Sequence, residues 1–221
     1  MALPRAIVVG LLGLLWGSAD AADTPTKAIQ QALNLSAEPA KTPYVFVERK
    51  GAKVRGVVAE IVPHDVRHVM RDVILCYGEF PRWFPLQTKA RYVSQKIEDN
   101  SAVIYGQLSF PWPIGSRDFE ADIVGTYTLD ATPPRFRVDF DHRPGTGNIK
   151  HMTGHWLVEP YGPDKTLVVY DSTADFDTWV PGFLLARGTQ QFLPGIMDRM
   201  KKRTDKCTSG APPGGLPDID V

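Results

Sequence analysis

Hydrophobic and polar positions along the chain fall into two periods. From Lys89 to Asp175 the apolar residues recur every second position in the runs ARYVSQKI, SAVIYGQLSF, RDFEADIVGTYTL, RFRVDFDH, KHMTGHWLVEP and TLVVYDST. Period two is the signature of strands with one buried face. Turn signals separate the runs: Asp99-Asn100, Thr132-Pro133-Pro134, Pro144-Gly145-Thr146-Gly147 and Gly162-Pro163-Asp164. Upstream, Lys41 to Glu48 and GAKVRGVVAEIV read as two further strands. Between these blocks, PHDVRHVMRDVILCY opens on Pro63 and Asp65 and repeats Val66, Val69, Met70, Val73 and Tyr77 at helical spacing. EFPRWFP follows as a proline-rich aromatic loop. VPGFLLARGTQQFLPGIMDRMKKRTDK is a long helix with Phe192, Ile196 and Met200 at steps of four beside Leu193 and Met197, kinked at Pro194. A short leading helix is expected over 24–38, and the Pro/Gly-rich end from 207 to 221 has the composition of a disordered tail.

Strands joined by short turns make an antiparallel meander rather than alternating βαβ units, which places the chain in the α+β class. A sheet with one apolar face needs a cover, and the closing helix is the long element available for it. The architecture expected is a curved antiparallel sheet wrapped around a long C-terminal helix. The space between them either packs solid or holds a ligand.

Composition narrows the setting. The chain has 221 residues, suited to one domain with one core. Its first residues, MALPRAIVVGLLGLLWGSADA, set Arg5 before an apolar run from Ala6 to Gly17 and end on small residues, the pattern of a secretory signal peptide over 1–21. The run is shorter than the roughly 20 residues of a membrane-spanning helix. Export is therefore expected, to the periplasm if the source is a Gram-negative bacterium and otherwise to the outside. Lys+Arg and Asp+Glu both number 25, so no basic footprint marks the chain as a nucleic-acid partner. Cys76 and Cys207 are either a disulfide formed after export or two buried thiols.

Motifs for catalysis and cofactors are missing from the sequence. There is no G-x-S-x-G elbow, no P-loop and no G-x-G-x-x-G, so neither a catalytic nucleophile nor a cofactor is expected. His64 and His68 stand four apart on a helix start without a third ligand at a telling spacing, and His151 and His155 stand four apart on a strand, ~13 Å from one another. No metal is expected. Trp83 and Phe84 form a lid or a membrane-touching tip, and Arg199, Lys201, Lys202, Arg203 and Lys206 end the last helix either as solvated cations that complement the helix dipole or as a docking patch for anionic lipid. Trp156 reads as core.

Taken in order, HDVRHVMRDVILCYGEFPRWFP, FPWPIGSRDF, GHWLVEP, TLVVYDSTADFDTWVP and the closing helix resemble the START-like (SRPBCC, helix-grip) superfamily, which includes START lipid-binding domains, coenzyme Q-binding proteins and polyketide cyclases. The resemblance covers a domain over 40–206, after a helical lead at 22–39. It departs at Phe176-Asp177-Thr178-Trp179, where lipid-transfer members often carry Pro-Gly-Gly. The resemblance implies a cavity for a lipid or other hydrophobic small molecule, with transient membrane contact, and a charged pair that orients the polar end of the lipid. Strand alternation puts Arg117, Phe119, Ala121 and Ile123 on one face, with Phe136, Val138 and Phe140 beyond them. Tyr105 joins them by its alternation with Val103 and Gln107, and the helix residues Phe192, Leu193, Ile196 and Met197 close the cavity. Arg117 then points inward toward Glu98 or Asp171, or else bends back to solvent. Carriage of a hydrophobic ligand is the leading expectation; an acid–base enzyme using Arg117, Tyr105 or His155, and a solidly packed interaction module, are the rivals.

Overall fold

The computed structural model describes residues 43–96, 99–112, 114–130, 132–176 and 181–209. The signal peptide and helical lead expected over 1–39, and the tail beyond Ser209, lie outside the described residues. The alternating runs become β1 (Tyr44–Lys50), β2 (Lys53–Val62), β3 (Gln87–Lys96), β4 (Ser101–Ser109), β5 (Ser116–Thr128), β6 (Arg135–His142), β7 (His151–Pro160) and β8 (Thr166–Asp175). They pair antiparallel throughout, in the order β1-β2-β8-β7-β6-β5-β4-β3. After β2 the chain crosses to the opposite edge and meanders back until β8 closes on β2.

That crossover carries the helical pattern seen in the sequence. α1 (His68–Ile74) is wound as a π-helix, and the Leu75 N–H donates to Met70 O at 2.8 Å. Its apolar face is buried as the spacing requires, with Val69, Met70 and Val73 fully enclosed. A 3-10 turn at Tyr77–Glu79 follows, then α2 (Phe80–Trp83). The sequence reads this last stretch as loop. Pro81 falls in the first turn of α2, where an N–H would have no partner anyway, so the prolines bracket one helical turn rather than forbid it.

α3 (Gly182–Lys202) lies along the inner face of β2 and β1. Leu193, Ile196, Met197 and Met200 are fully buried there, and Phe192 packs at the edge of the core. Close approach needs Gly56: a Cβ at that position would stand 2.7 Å from Thr189 Cγ2 and 3.0 Å from Leu193 Cδ1.

Beyond α3 the chain is strapped to the crossover. Cys76 and Cys207 form a disulfide. Arg203, buried, donates to Glu79 Oε2 at 2.6 Å and to Asp72 O at 3.0 Å. The Cys207 N–H reaches Asp72 Oδ1 at 3.1 Å, and both the amide and hydroxyl of Thr208 reach Glu79 Oε1. The first residues of the tail expected from 207 are thus anchored, through Cys207 and Thr208. His64 and His68 belong to the same clamp: their Nε2 atoms sit 2.9 Å from Lys201 O and Arg203 O, acceptors that require an N–H from each ring.

Candidate ligand-binding site

The inner face of the sheet is shared by two covers. α3 takes the β1–β2 side, and the crossover segment lies over the β3 side. A cavity of about 70 Å³ remains under the crossover. Its wall is Ile74, Leu75, Tyr77, Phe80 and Phe84, with Gln87 where β3 begins. Its floor is Ile104 and Leu108 of β4, Ile123 of β5, Val138 and Phe140 of β6, Met152 and Trp156 of β7, and Tyr170 of β8.

Of the residues the sequence nominates, Ile123, Val138 and Phe140 line this cavity. Phe119, Ala121 and Phe136 are buried on the same face but in packed core. Leu193, Ile196 and Met197 do not line it, because α3 is pressed onto Gly56 and leaves no gap; Phe192 touches the wall from behind, its ring 5.8 Å from Phe84. Tyr105 faces the other way. The inward residues of β4 are Ala102, Ile104 and Gly106, while Tyr105 stacks under Arg91, whose guanidinium carbon lies 4.8 Å from the ring centroid.

Arg117 keeps the inward parity but sits at the start of β5, outside the cavity lining. Its Nη1 donates to Ser116 O at 3.1 Å, and its Nε has no partner among the described residues. Asp171, one of its expected partners, is instead gripped on the opposite face of the sheet by Arg55, at 3.0 and 2.5 Å; Glu98 lies outside the described residues. His155 neighbours Asp171 across the β7–β8 pair and so also faces away from the cavity. Burial first, then the Arg137 charge, pushes its pKa down. The acid–base candidates Arg117, Tyr105 and His155 are therefore not assembled in one place.

Sequence reasoning missed Tyr77, Gln87, Trp156 and Tyr170 as lining residues. Gln87 Nε2 donates to Lys89 O at 2.7 Å and to Tyr77 Oη at 3.3 Å. Burial raises the Tyr77 phenol far above its ordinary range and pushes Tyr170 up to about 12, although Ser172 hydrogen-bonds its oxygen. Both stay neutral at physiological pH, and among the described residues no carboxylate, lysine, arginine or histidine lines the cavity. Trp83 is buried, its ring edge-on to Phe80 and Phe84, so it is not an exposed tip. The basic end of α3 is engaged internally, Lys201 with Glu60 and Asp198, Arg203 with Glu79. Exposed apolar side chains lie elsewhere: Trp112, Phe183 and Leu184, 87%, 64% and 46% exposed, flank the contact of Ile114 with Leu185 and Val54. Among the described residues no helix is long and apolar enough to cross a membrane.

Solved structures share this arrangement. The STAR-related lipid transfer protein of Xanthomonas axonopodis superposes with a TM-score of 0.62 at 18% identity, over 75% of this chain and 95% of that one. The chain has the START-type helix-grip fold. Human StAR-related lipid transfer protein 5 (TM-score 0.55, 14% identity, 82% of this chain and 95% of that one) and a START superfamily protein from Mycobacterium smegmatis (0.54, 13%, 67% and 95%) match the same START framework. No family model matches the sequence. An uncharacterized protein of Pseudomonas aeruginosa is 24% identical over 116 residues, 49% of this chain; the match spans 57% of the length of that curated relative.

Proposed function

We propose that this protein binds a hydrophobic small molecule in the cavity under the crossover and shields it from water. The observation that carries the reading is the lining: aliphatic and aromatic side chains with a few neutral polar groups, the composition of a small-molecule pocket. Removing apolar surface from water at ~25 cal/mol per Å² supplies the affinity without covalent chemistry. The likeness to proteins named for lipid transfer supports the same reading. A dry cavity of roughly 150 Å³ admits benzene, so a lipid-sized guest in a site of about 70 Å³ requires the crossover wall to move outward.

Transport of the bound molecule, export of the protein and transient membrane contact belong to the same proposal. The leader-like pattern over 1–21 and the Cys76–Cys207 disulfide support an oxidising compartment outside the cytoplasm. The exposed Trp112, Phe183 and Leu184 support membrane contact. Mass spectrometry of small molecules released from protein purified from its native compartment tests the binding. A stoichiometric hydrophobic species is expected; protein that emerges empty and fails to bind Nile red refutes it.

A further inference from the structure

We infer that the cavity selects an uncharged hydrophobic molecule bearing a hydroxyl group, recognised jointly by Tyr77 and Gln87. The inference rests on the ligand-binding reading above and names the chemistry of the ligand.

The hydrogen bonds of Gln87 decide it. Its Nε2 lies 2.7 Å from Lys89 O. A carbonyl can only accept, so the amide nitrogen must be at that end and Oε1 at the other. The same nitrogen stands 3.3 Å from Tyr77 Oη, which consumes its second proton and makes the phenol oxygen the acceptor. Two capacities are left over. Tyr77 retains an O–H to donate and Gln87 retains Oε1 to accept, capacities that the bonds to Lys89 O and between the two side chains leave unused among the described residues.

Oε1 belongs to the same amide as the nitrogen that meets Tyr77, and both residues line the cavity, so one hydroxyl can take the Tyr77 proton and give its own to Gln87 Oε1. An ether or ester oxygen satisfies Tyr77 and leaves Oε1 unmet. A carboxylate presents a second negative oxygen to Oε1 and must shed its water with no cation among the described lining residues to receive it. Burial keeps Tyr77 protonated, so the donor persists across physiological pH.

The pair is also held in place. Gly106 of β4 makes the room: a Cβ there would stand 2.5 Å from Tyr77 Oη and 2.8 Å from Gln87 Nε2. The Tyr77 ring is packed by Phe80, centroids 4.7 Å apart. A donor–acceptor pair fixed by packing discriminates between ligands more sharply than a loose one.

The test is displacement of Nile red by decan-1-ol, by its isomer methyl nonyl ether and by decanoate, on the wild-type protein and on Gln87→Leu and Tyr77→Phe. Wild type should bind the alcohol roughly tenfold more tightly than the ether, with decanoate weakest. Gln87→Leu should bring alcohol and ether within about twofold, while Tyr77→Phe should weaken both to a similar degree. Alcohol and ether binding equally to wild type, or decanoate binding best, overturns the hydroxyl inference and leaves hydrophobic binding standing. If neither Nile red nor any competitor binds, the ligand-binding reading falls and this inference with it. The wild-type ranking decides even if a variant fails to fold.

Discussion

Replacing Arg203 with methionine isolates the charge that holds the C-terminal strap, since methionine keeps much of the stem's packing and deletes the guanidinium. Arg203 and Glu79 meet at 2.6 Å with side chains only 5% and 4% exposed, so the change leaves a buried carboxylate with Thr208 and the more distant Arg82, 3.6 Å away, as its partners. Breaking one partner of such a pair costs ~3–5 kcal/mol. The ionisation of Glu79 leads to a similar figure. Burial by itself would raise its pKa, but hydrogen bonds from Arg203 and Thr208, with the Arg203 charge, hold it at about 2 against an ordinary 4.5. At 1.36 kcal/mol per pKa unit these partners together contribute about 3 kcal/mol, with Arg203 the strongest of them. Because the folded-state value is depressed, this stabilisation is complete above the unfolded value of 4.5 and is lost as pH falls toward about 2. Arg203→Met should therefore lower Tm at pH 7 by roughly 10 °C, and the gap to wild type should narrow as the pH is taken down to 3. Thermal unfolding followed by circular dichroism, with the disulfide intact, measures both. A shift below about 3 °C at pH 7, or an equal gap at both pH values, would refute the reasoning.

The disulfide closes a separation of 131 residues, for which chain entropy gives about 5 kcal/mol, so Cys207→Ser should melt well below the oxidised wild type; equal melting of oxidised and reduced wild type would contradict this. Val138→Phe should fill the cavity floor and block Nile red uptake in a folded protein, at ~1–3 kcal/mol of overpacking, and unchanged dye affinity would move the site elsewhere. Phe84→Ala should enlarge the cavity and favour bulkier probes over small ones despite ~3–5 kcal/mol of lost stability, a preference read from competition between alcohols of increasing size. Arg117→Met should leave binding of charged and neutral ligands alike unchanged; a selective loss for polar-headed ligands would return Arg117 to the pocket.

The strands were legible in the sequence because alternation and turn chemistry are local. Each expected run became a strand, and the closing helix formed where its apolar face predicted it. Pairing between edges is not local: β2 finds β8 across more than half of the domain, and no pattern in either strand announces it. The cavity was placed under α3 because α3 was the longest cover, yet the actual wall is the crossover. Its signal was present but irregular. Ile74, Tyr77, Phe80 and Phe84 keep helical spacing, but Gly78 and Pro81 interrupt the run, so the stretch reads as the end of a helix and a loop rather than as one apolar wall. Val103 and Tyr105 give the outward face of β4 two apolar members, and Gly106 leaves a gap in the inward stripe of Ala102, Ile104 and Leu108, so spacing alone points Tyr105 the wrong way. Tyr77 and Gln87 became a pair only through folding, since hydrogen-bond geometry cannot be read from spacing.

The distribution of charge explains how one crossover can be both anchored and yielding. Its first part is tethered by directional bonds: Tyr92 Oη donates to Leu75 O at 2.6 Å, Cys76 is bonded to Cys207, and Glu79 is paired with Arg203. Its second part is held by ring contacts. Phe80 and Phe84 stack at 5.3 Å, and Phe84 meets Trp156, Tyr170 and Phe192 edge-on at 5.8 to 6.3 Å. Apolar contacts have no preferred direction and re-form against a hydrophobic guest, whereas a buried ion pair or a disulfide cannot be exchanged for contact with hydrocarbon. On the proposed function, a ligand larger than the cavity would be accommodated at the Phe84 end of the wall, while the Cys76 end would keep Tyr77 in register with Gln87. With the ionic clamp outside the cavity, the described lining residues carry no charge, and on the proposed function a bare carboxylate or ammonium group would find no counter-ion among them.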